Sequence, residues 1–133
     1  MSLSKKEKVY SYELTVRGNE LDSFGHVNNA VYLNYLEQAR WDILRRKMLL
    51  KEWKAKEFLL AVIDLHIRYM KELKLFDEIV VETYLEKTEP YLVFHQKIKH
   101  KETGRTMAKS EVKTLLLDAD RTPHDIPSQL LEQ

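Results

Sequence analysis

Asn29-Ala-Val-Tyr-Leu-Asn-Tyr-Leu-Glu-Gln-Ala-Arg-Trp-Asp-Ile-Leu-Arg-Arg-Lys-Met48 sets Tyr32, Tyr35, Leu36, Ala39 and Ile43 at helical spacing. Asn34, Gln38, Asp42 and Arg45 fall around the rest of the cylinder. No glycine or proline interrupts the run, so the spacing predicts one amphipathic helix of some 20 residues, roughly 30 Å long.

On either side of this run the apolar period shortens to two. Upstream, Tyr10, Tyr12, Leu14 and Val16 alternate with Ser11, Glu13, Thr15 and Arg17, the signature of a half-buried strand. Downstream, a short polar helical or irregular piece over Leu50–Glu57 precedes four more alternating runs. These place Ile63, Leu65, Ile67 and Tyr69 on one face, then Ile79, Val81, Thr83 and Leu85, then Leu92, Phe94, Gln96 and Ile98. The last run sets Ala108, Ser110, Val112, Thr114 and Leu116 together. Gly18, Gly25, Gly104 and Pro90 fall between the runs, where turns belong. From Asp118 the chain reads as a loop and a last helical turn. Sequential strands on short connections are expected to pair antiparallel. Such a sheet must cover its apolar face, and the 29–48 helix is the one element long enough to do so. The expected architecture is α+β, about five antiparallel strands wrapped around one long central helix. Residues 1–133 read as a single domain without repeats or linkers.

Composition narrows the function classes. A formal net charge of +1 supplies no field for nucleic acid or an anionic membrane, so neither is an expected partner. No apolar run approaches the roughly 20 residues of a spanning helix, and Met1–Lys8 has no apolar segment of the secretory kind. The absence of cysteine excludes disulfides, thiolate zinc sites and a cysteine nucleophile. The remaining histidines, His66, His95, His100 and His124, are scattered and read as surface or interface residues, so no metal is expected. A serine-hydrolase elbow and a glycine-rich phosphate loop are both missing. The expected setting is the cytoplasm.

The densest chemistry lies directly before the long helix, in Asp22-Ser-Phe-Gly-His-Val-Asn-Asn29. This stretch holds a carboxylate (Asp22), a flexible turn residue (Gly25), an imidazole (His26) and two amides (Asn28, Asn29). The helix N-terminus that follows offers unpaired N–H groups and partial positive charge, a setting that stabilises an oxyanion. A nearby carboxylate can attack a carbonyl or activate water, so the parts for acyl hydrolysis sit in one loop. The plain structural alternative is that Asn28 or Asn29 caps the helix and Asp22 closes an Asx-turn.

The pattern Asp22, Gly25, His26, Val27, Asn28, Asn29, then Tyr32, Tyr35, Glu37, Ala39 and Arg40 resembles the signature of hotdog-fold acyl-CoA thioesterases of the 4-hydroxybenzoyl-CoA thioesterase type. Ile67-Arg-Tyr-Met-Lys-Glu-Leu-Lys-Leu-Phe-Asp77 and Phe94-His-Gln-Lys-Ile98 extend the similarity downstream, and His26-Val-Asn-Asn29 also resembles plant acyl-carrier-protein thioesterases. The resemblance implies that Asp22 is the catalytic carboxylate, as nucleophile or as base for water. It implies that the Asn29 N–H polarises the thioester carbonyl, and that His26 and Asn28 shape the site and help orient the carbonyl or the water, with His26 among the expected catalytic residues and Gly25 and Asn28 among the expected substrate-binding ones. Where the plant relatives place an asparagine two residues after the aspartate, this chain has Phe24, which disfavours their asparagine-assisted variant.

Glu37 is the rival carboxylate. It stands eight residues beyond Asn29, about 12 Å along the helix. A branch of the family that lacks the loop aspartate uses a glutamate at the matching position, contributed across a dimer. Its plain structural reading is an ion pair with Arg40. Tyr32, Tyr35 and Trp41 are expected in the core or the subunit contact, with Tyr32 also a candidate for the acyl pocket. Arg68, Lys71, Lys97, Lys99, Lys101 and Arg105 are candidates for the phosphates of coenzyme A, with Arg68 the first choice. The resemblance implies hydrolysis of an acyl-CoA or acyl-carrier-protein thioester without metal or other cofactor, in a homodimer or a dimer of dimers. The alternatives are a hotdog dehydratase or hydratase, a non-catalytic acyl-thioester binding domain, and a cystatin-like fold with no use for the Asp22–Asn29 loop.

Overall fold

The computed structural model describes residues 8–132; the reading of the N-terminal segment therefore lies, save for Lys8, outside the described residues. Helix α1 spans Asn29–Arg46 and buries Tyr32, Tyr35, Leu36, Ala39, Ile43 and Leu44 along one stripe. It stops two residues short of the expected Met48. Lys47 turns its N–H back to Ile43, and Met48 takes a left-handed φ of 59° that no α-helix continues through. Arg45 and Arg46 complement the helix dipole there and both bind the buried Asp42 carboxylate, each at 2.7 Å. A second helix, α2, covers Leu50–Ala55 and buries Trp53.

The strands are β1 (Val9–Thr15), β2 (Leu59–Tyr69), β3 (Glu78–Thr88), β4 (Tyr91–His100), β5 (Thr106–Leu117) and a two-residue β6 (Pro123–His124). All pairings are antiparallel, in the order β1-β3-β4-β5-β2, with β6 on the end of β5. Five long strands around one helix match the sequence pattern. The expectation that sequential strands pair holds only for β3-β4-β5. The eight residues between β2 and β3 instead carry the chain across the end of the sheet, where Val27 N–H binds Leu73 O and Val16 N–H binds Asp77 O. β2 therefore pairs with β5, and β1 with β3.

The inward face of the sheet meets α1 through two apolar clusters. One gathers Ile43, Leu44, Trp53, Phe94, Val112 and Leu116 around the second half of the helix; the other gathers Tyr32, Leu36, Leu73, Ile79, Val81 and Ile98 around the first. Each fully buried aliphatic or aromatic side chain contributes roughly 1.5–3 kcal/mol of transfer free energy. Between the clusters runs a buried polar row, Thr83, Gln96 and Ser110, aligned across β3, β4 and β5. Gln96 Nε2 donates to Leu36 O and to Thr83 Oγ1, whereas Ser110 Oγ has no hydrogen-bond partner among the described residues. One alternation reading fails locally. Ile63 sits at a register shift in β2 and is exposed rather than inward, as a bulge re-aims its side chain. Of the two places expected for Trp41, the core is ruled out, since it lies off the buried stripe of α1 and is half exposed.

Candidate active site

The Asp22–Asn29 stretch forms a miniature hairpin. Leu21 and Val27 bridge at its base, Asp22 N–H donates to His26 O at 2.8 Å, and Gly25 N–H closes the turn on Asp22 O. Gly25 adopts φ +82°, a conformation that costs a side-chain-bearing residue and leaves glycine free. Asp22 is half-buried and its Oδ1 accepts from Phe24 N–H at 2.9 Å and from His26 N–H at 3.3 Å. The Asx-turn reading of Asp22 is thus realised through one oxygen, while Oδ2 accepts no hydrogen bond among the described residues. His26 is partly exposed, and its backbone bridges to Lys74. Phe24 points into solvent, 83% exposed.

The helix start is equally specific. Asn28 is the N-cap: its Oδ1 accepts from Ala30 N–H at 2.9 Å and its carbonyl from Val31 N–H at 2.9 Å. The intervening first N–H, that of Asn29, donates to nothing among the described residues. Tyr69, reaching over from β2, donates its hydroxyl to Asn29 O at 2.7 Å and stacks edge-on against Tyr32. Tyr32 is buried and its hydroxyl is committed to the β2–β3 connection, accepting from Leu73 N–H at 3.0 Å and reaching Lys71 O at 3.4 Å.

Beneath the hairpin lies Glu20, 7% exposed. Its Oε1 accepts from Tyr35 OH at 2.7 Å and from Arg17 N–H at 2.8 Å, its Oε2 takes the Arg17 guanidinium, and its carbonyl accepts Asn28 N–H at 2.9 Å. Burial pushes the Glu20 pKa up, but the bonds from Arg17 and Tyr35 together outweigh it and hold the carboxyl below its ordinary value. The same contact, with burial as the larger cause, raises the Tyr35 phenol. No motif in the sequence singles out Glu20; Arg17, three residues before it, is the available signal.

The other candidates lie apart from the loop. Glu37 is exposed and does not pair with Arg40, because the Arg40 guanidinium turns inward and donates to Gln96 Oε1 at 3.0 Å. Both line a cleft of about 480 Å³ between α1, α2 and the start of β2, with Leu44, Leu50, Trp53 and Phe58. Arg68 faces the other side of the sheet, in a cavity of about 530 Å³ with His66, Lys97 and Lys109. Among the described residues no group of three His, Asp or Glu side chains is arranged to hold a metal ion, and no helix is long and apolar enough to cross a membrane.

An antiparallel sheet wound around one long helix, with an acidic loop feeding the helix N-terminus, is the hotdog architecture. The chain belongs to the thioesterase-like superfamily, whose family model matches residues 16–133. It is 35% identical over 74 residues to the long-chain acyl-CoA thioesterase FadM of Escherichia coli, a segment covering 56% of each protein. It is 35% identical over 80 residues to the chloroplastic acyl-acyl carrier protein thioesterase ATL3 of Arabidopsis thaliana, covering 59% of this chain and 42% of that one. The chain thus matches about half the length of these two relatives. Among solved structures it is similar to YbaW, a probable thioesterase from Escherichia coli. The TM-score is 0.79 at 26% identity, over 86% of this chain and 88% of the other.

Proposed function

We propose that this protein is an acyl-CoA thioesterase that hydrolyses its substrate to a free acid and a thiol. The observation that carries the reading is the Asn29 N–H: the first amide of an 18-residue helix, left without an acceptor while the next two are satisfied by Asn28. An N–H so placed, at the positive end of the helix dipole, suits the oxyanion of a tetrahedral intermediate. Asp22 supplies the carboxylate: it either attacks the carbonyl carbon, expelling the thiolate to leave an acyl-aspartyl anhydride that water then hydrolyses, or takes a proton from a water that attacks the carbonyl as the thiolate leaves. Gly25, His26 and Asn28 hold the loop in shape around the thioester, and Tyr32 backs the helix start. The kinship to FadM supports coenzyme A as the carrier, and that to ATL3 keeps acyl-carrier protein as the alternative.

The functional unit in this proposal is the whole chain as one domain, acting in the cytoplasm as a homodimer or a dimer of dimers. Support for assembly comes from β2, which pairs with β5 on one side only and exposes Leu59, Val62 and Ile63. An unpaired, apolar-bearing edge of this kind invites a second copy. Arg68 and its neighbouring lysines remain the candidates for the coenzyme phosphates.

Thiol release from short, medium, long and aromatic acyl-CoA thioesters tests the reading, with Asp22→Asn and Glu37→Gln alongside. Turnover that collapses in Asp22→Asn at unchanged melting temperature is the expected result. Loss in Glu37→Gln alone would move the carboxylate role to Glu37. Binding without turnover across the panel would favour an acyl-thioester binding domain, in which Asp22 serves only the turn.

A further inference from the structure

The buried carboxylates are paired, Glu20 with Arg17 and Asp42 with Arg45 and Arg46. The partly buried Arg40 differs. None of the ion pairs among the described residues includes it, although burial pulls its guanidinium pKa down, against a smaller opposing effect of Glu37. Buried charges are costly unless paired. Of the five N–H donors a guanidinium carries, the chain engages Nη1, on Gln96 Oε1, and the cation also lies 5.9 Å from the Phe94 ring centre. Gln96 is itself fixed by Leu36 O and Thr83 Oγ1, so the fork is oriented in advance.

Arg40 shares its cleft with an apolar wall of Leu44, Leu50, Trp53, Phe58 and Leu60, and the same lining includes Leu59 and Val62 of the β2 edge proposed above to meet a second copy. An oriented, unneutralised guanidinium beside such a wall is complementary to one kind of small molecule, a carboxylate on a hydrocarbon tail. We propose that this cleft binds an aliphatic monocarboxylate, its two oxygens forked on Arg40 and its tail against Leu44, Leu50, Trp53 and Phe58. On the thioesterase reading, from which the ligand's identity though not the site follows, this is the acid that hydrolysis releases, and the cleft is a product site. Among the described residues Glu37, exposed at the mouth, is the one anion acting on the guanidinium, so removing its charge should tighten binding.

The chain's two tryptophans, Trp41 and Trp53, both line the cleft, and their fluorescence reports its occupancy. The experiment is a titration with decanoate and with decan-1-ol of the wild type, Arg40→Met, Arg40→Lys and Glu37→Gln. The wild type should bind decanoate about tenfold or more tighter than the alcohol, the margin of a charge-assisted pair. Arg40→Met should bind the two equally, with alcohol affinity unchanged, which also shows the cleft intact. Arg40→Lys should keep part of the preference, and Glu37→Gln should increase it. Equal affinities in the wild type, as when a carboxylate of a second copy already occupies Arg40, would overturn the proposal. So would no binding of either probe, or a preference undiminished in Arg40→Met or Arg40→Lys. Absence of acyl-CoA turnover would instead sink the thioesterase reading and leave these affinities to decide the site.

Discussion

The Tyr35 hydroxyl donates a 2.7 Å hydrogen bond to Glu20 Oε1, joining the second turn of α1 to the base of the Asp22 hairpin. Both residues are buried, and the Glu20 carbonyl receives Asn28 N–H, so this contact fixes the loop relative to the helix start. Tyr35→Phe removes the donor and should cost about 1 kcal/mol of stability. It should also speed amide exchange at Asn28 and His26 while leaving the β3–β4 amides unchanged. Hydrogen-exchange mass spectrometry or NMR checks this, and uniform loosening of the whole fold would count against a local strut.

Glu20 also sets a pH dependence. Its carboxyl is held below the ordinary glutamate value in the folded chain, so on acidification the unfolded chain takes up that proton first. The stabilisation is complete above the ordinary value and is lost as the pH falls through the lowered, folded one. Wild type should therefore melt higher than Glu20→Gln at neutral pH, and the gap should narrow through the acidic range below the ordinary value. A gap constant from pH 7 down to pH 3 would contradict the assignment.

Ser110 makes the opposite case. Its hydroxyl is buried between β4 and β2 with no hydrogen-bond partner among the described residues, an arrangement that costs about 1–3 kcal/mol of desolvation. Ser110→Ala deletes the orphan group and almost no volume. Denaturant unfolding should find the variant as stable as the wild type or more so.

The helix, the strand alternation and the chemical loop are legible in the sequence because each is encoded locally: Tyr32, Tyr35, Leu36, Ala39 and Ile43 at helical spacing, Leu92, Phe94, Gln96 and Ile98 at period two. What depends on distant partners is not. The pairing of β2 with β5 follows from the docking of Leu73 and Lys74 on Val27 and His26, which no periodicity encodes. Arg40 looked like the i+3 partner of Glu37. Its true partner is Gln96, 56 residues away, because the inward face of α1 meets the polar row of the sheet at that turn. Glu20 acquires its role from Tyr35, 15 residues on, and Tyr69 reaches Asn29 from 40 residues away.

The Asn29 N–H is the proposed oxyanion donor, and the local backbone allows that one hydrogen to be deleted. Proline is favoured at the first helical position, and Asn28, with φ −58° and ψ 136°, already has the extended ψ that the residue before proline requires. The measurement is thiol release from acyl-CoA by wild type, Asn29→Pro and Asn29→Ala, the last keeping the N–H while losing the side chain. Asn29→Pro should melt like the wild type and lose about a hundredfold or more in kcat, with Asn29→Ala close to normal. A proline variant that hydrolyses at the wild-type rate would mean that the Asn29 N–H does not hold the oxyanion.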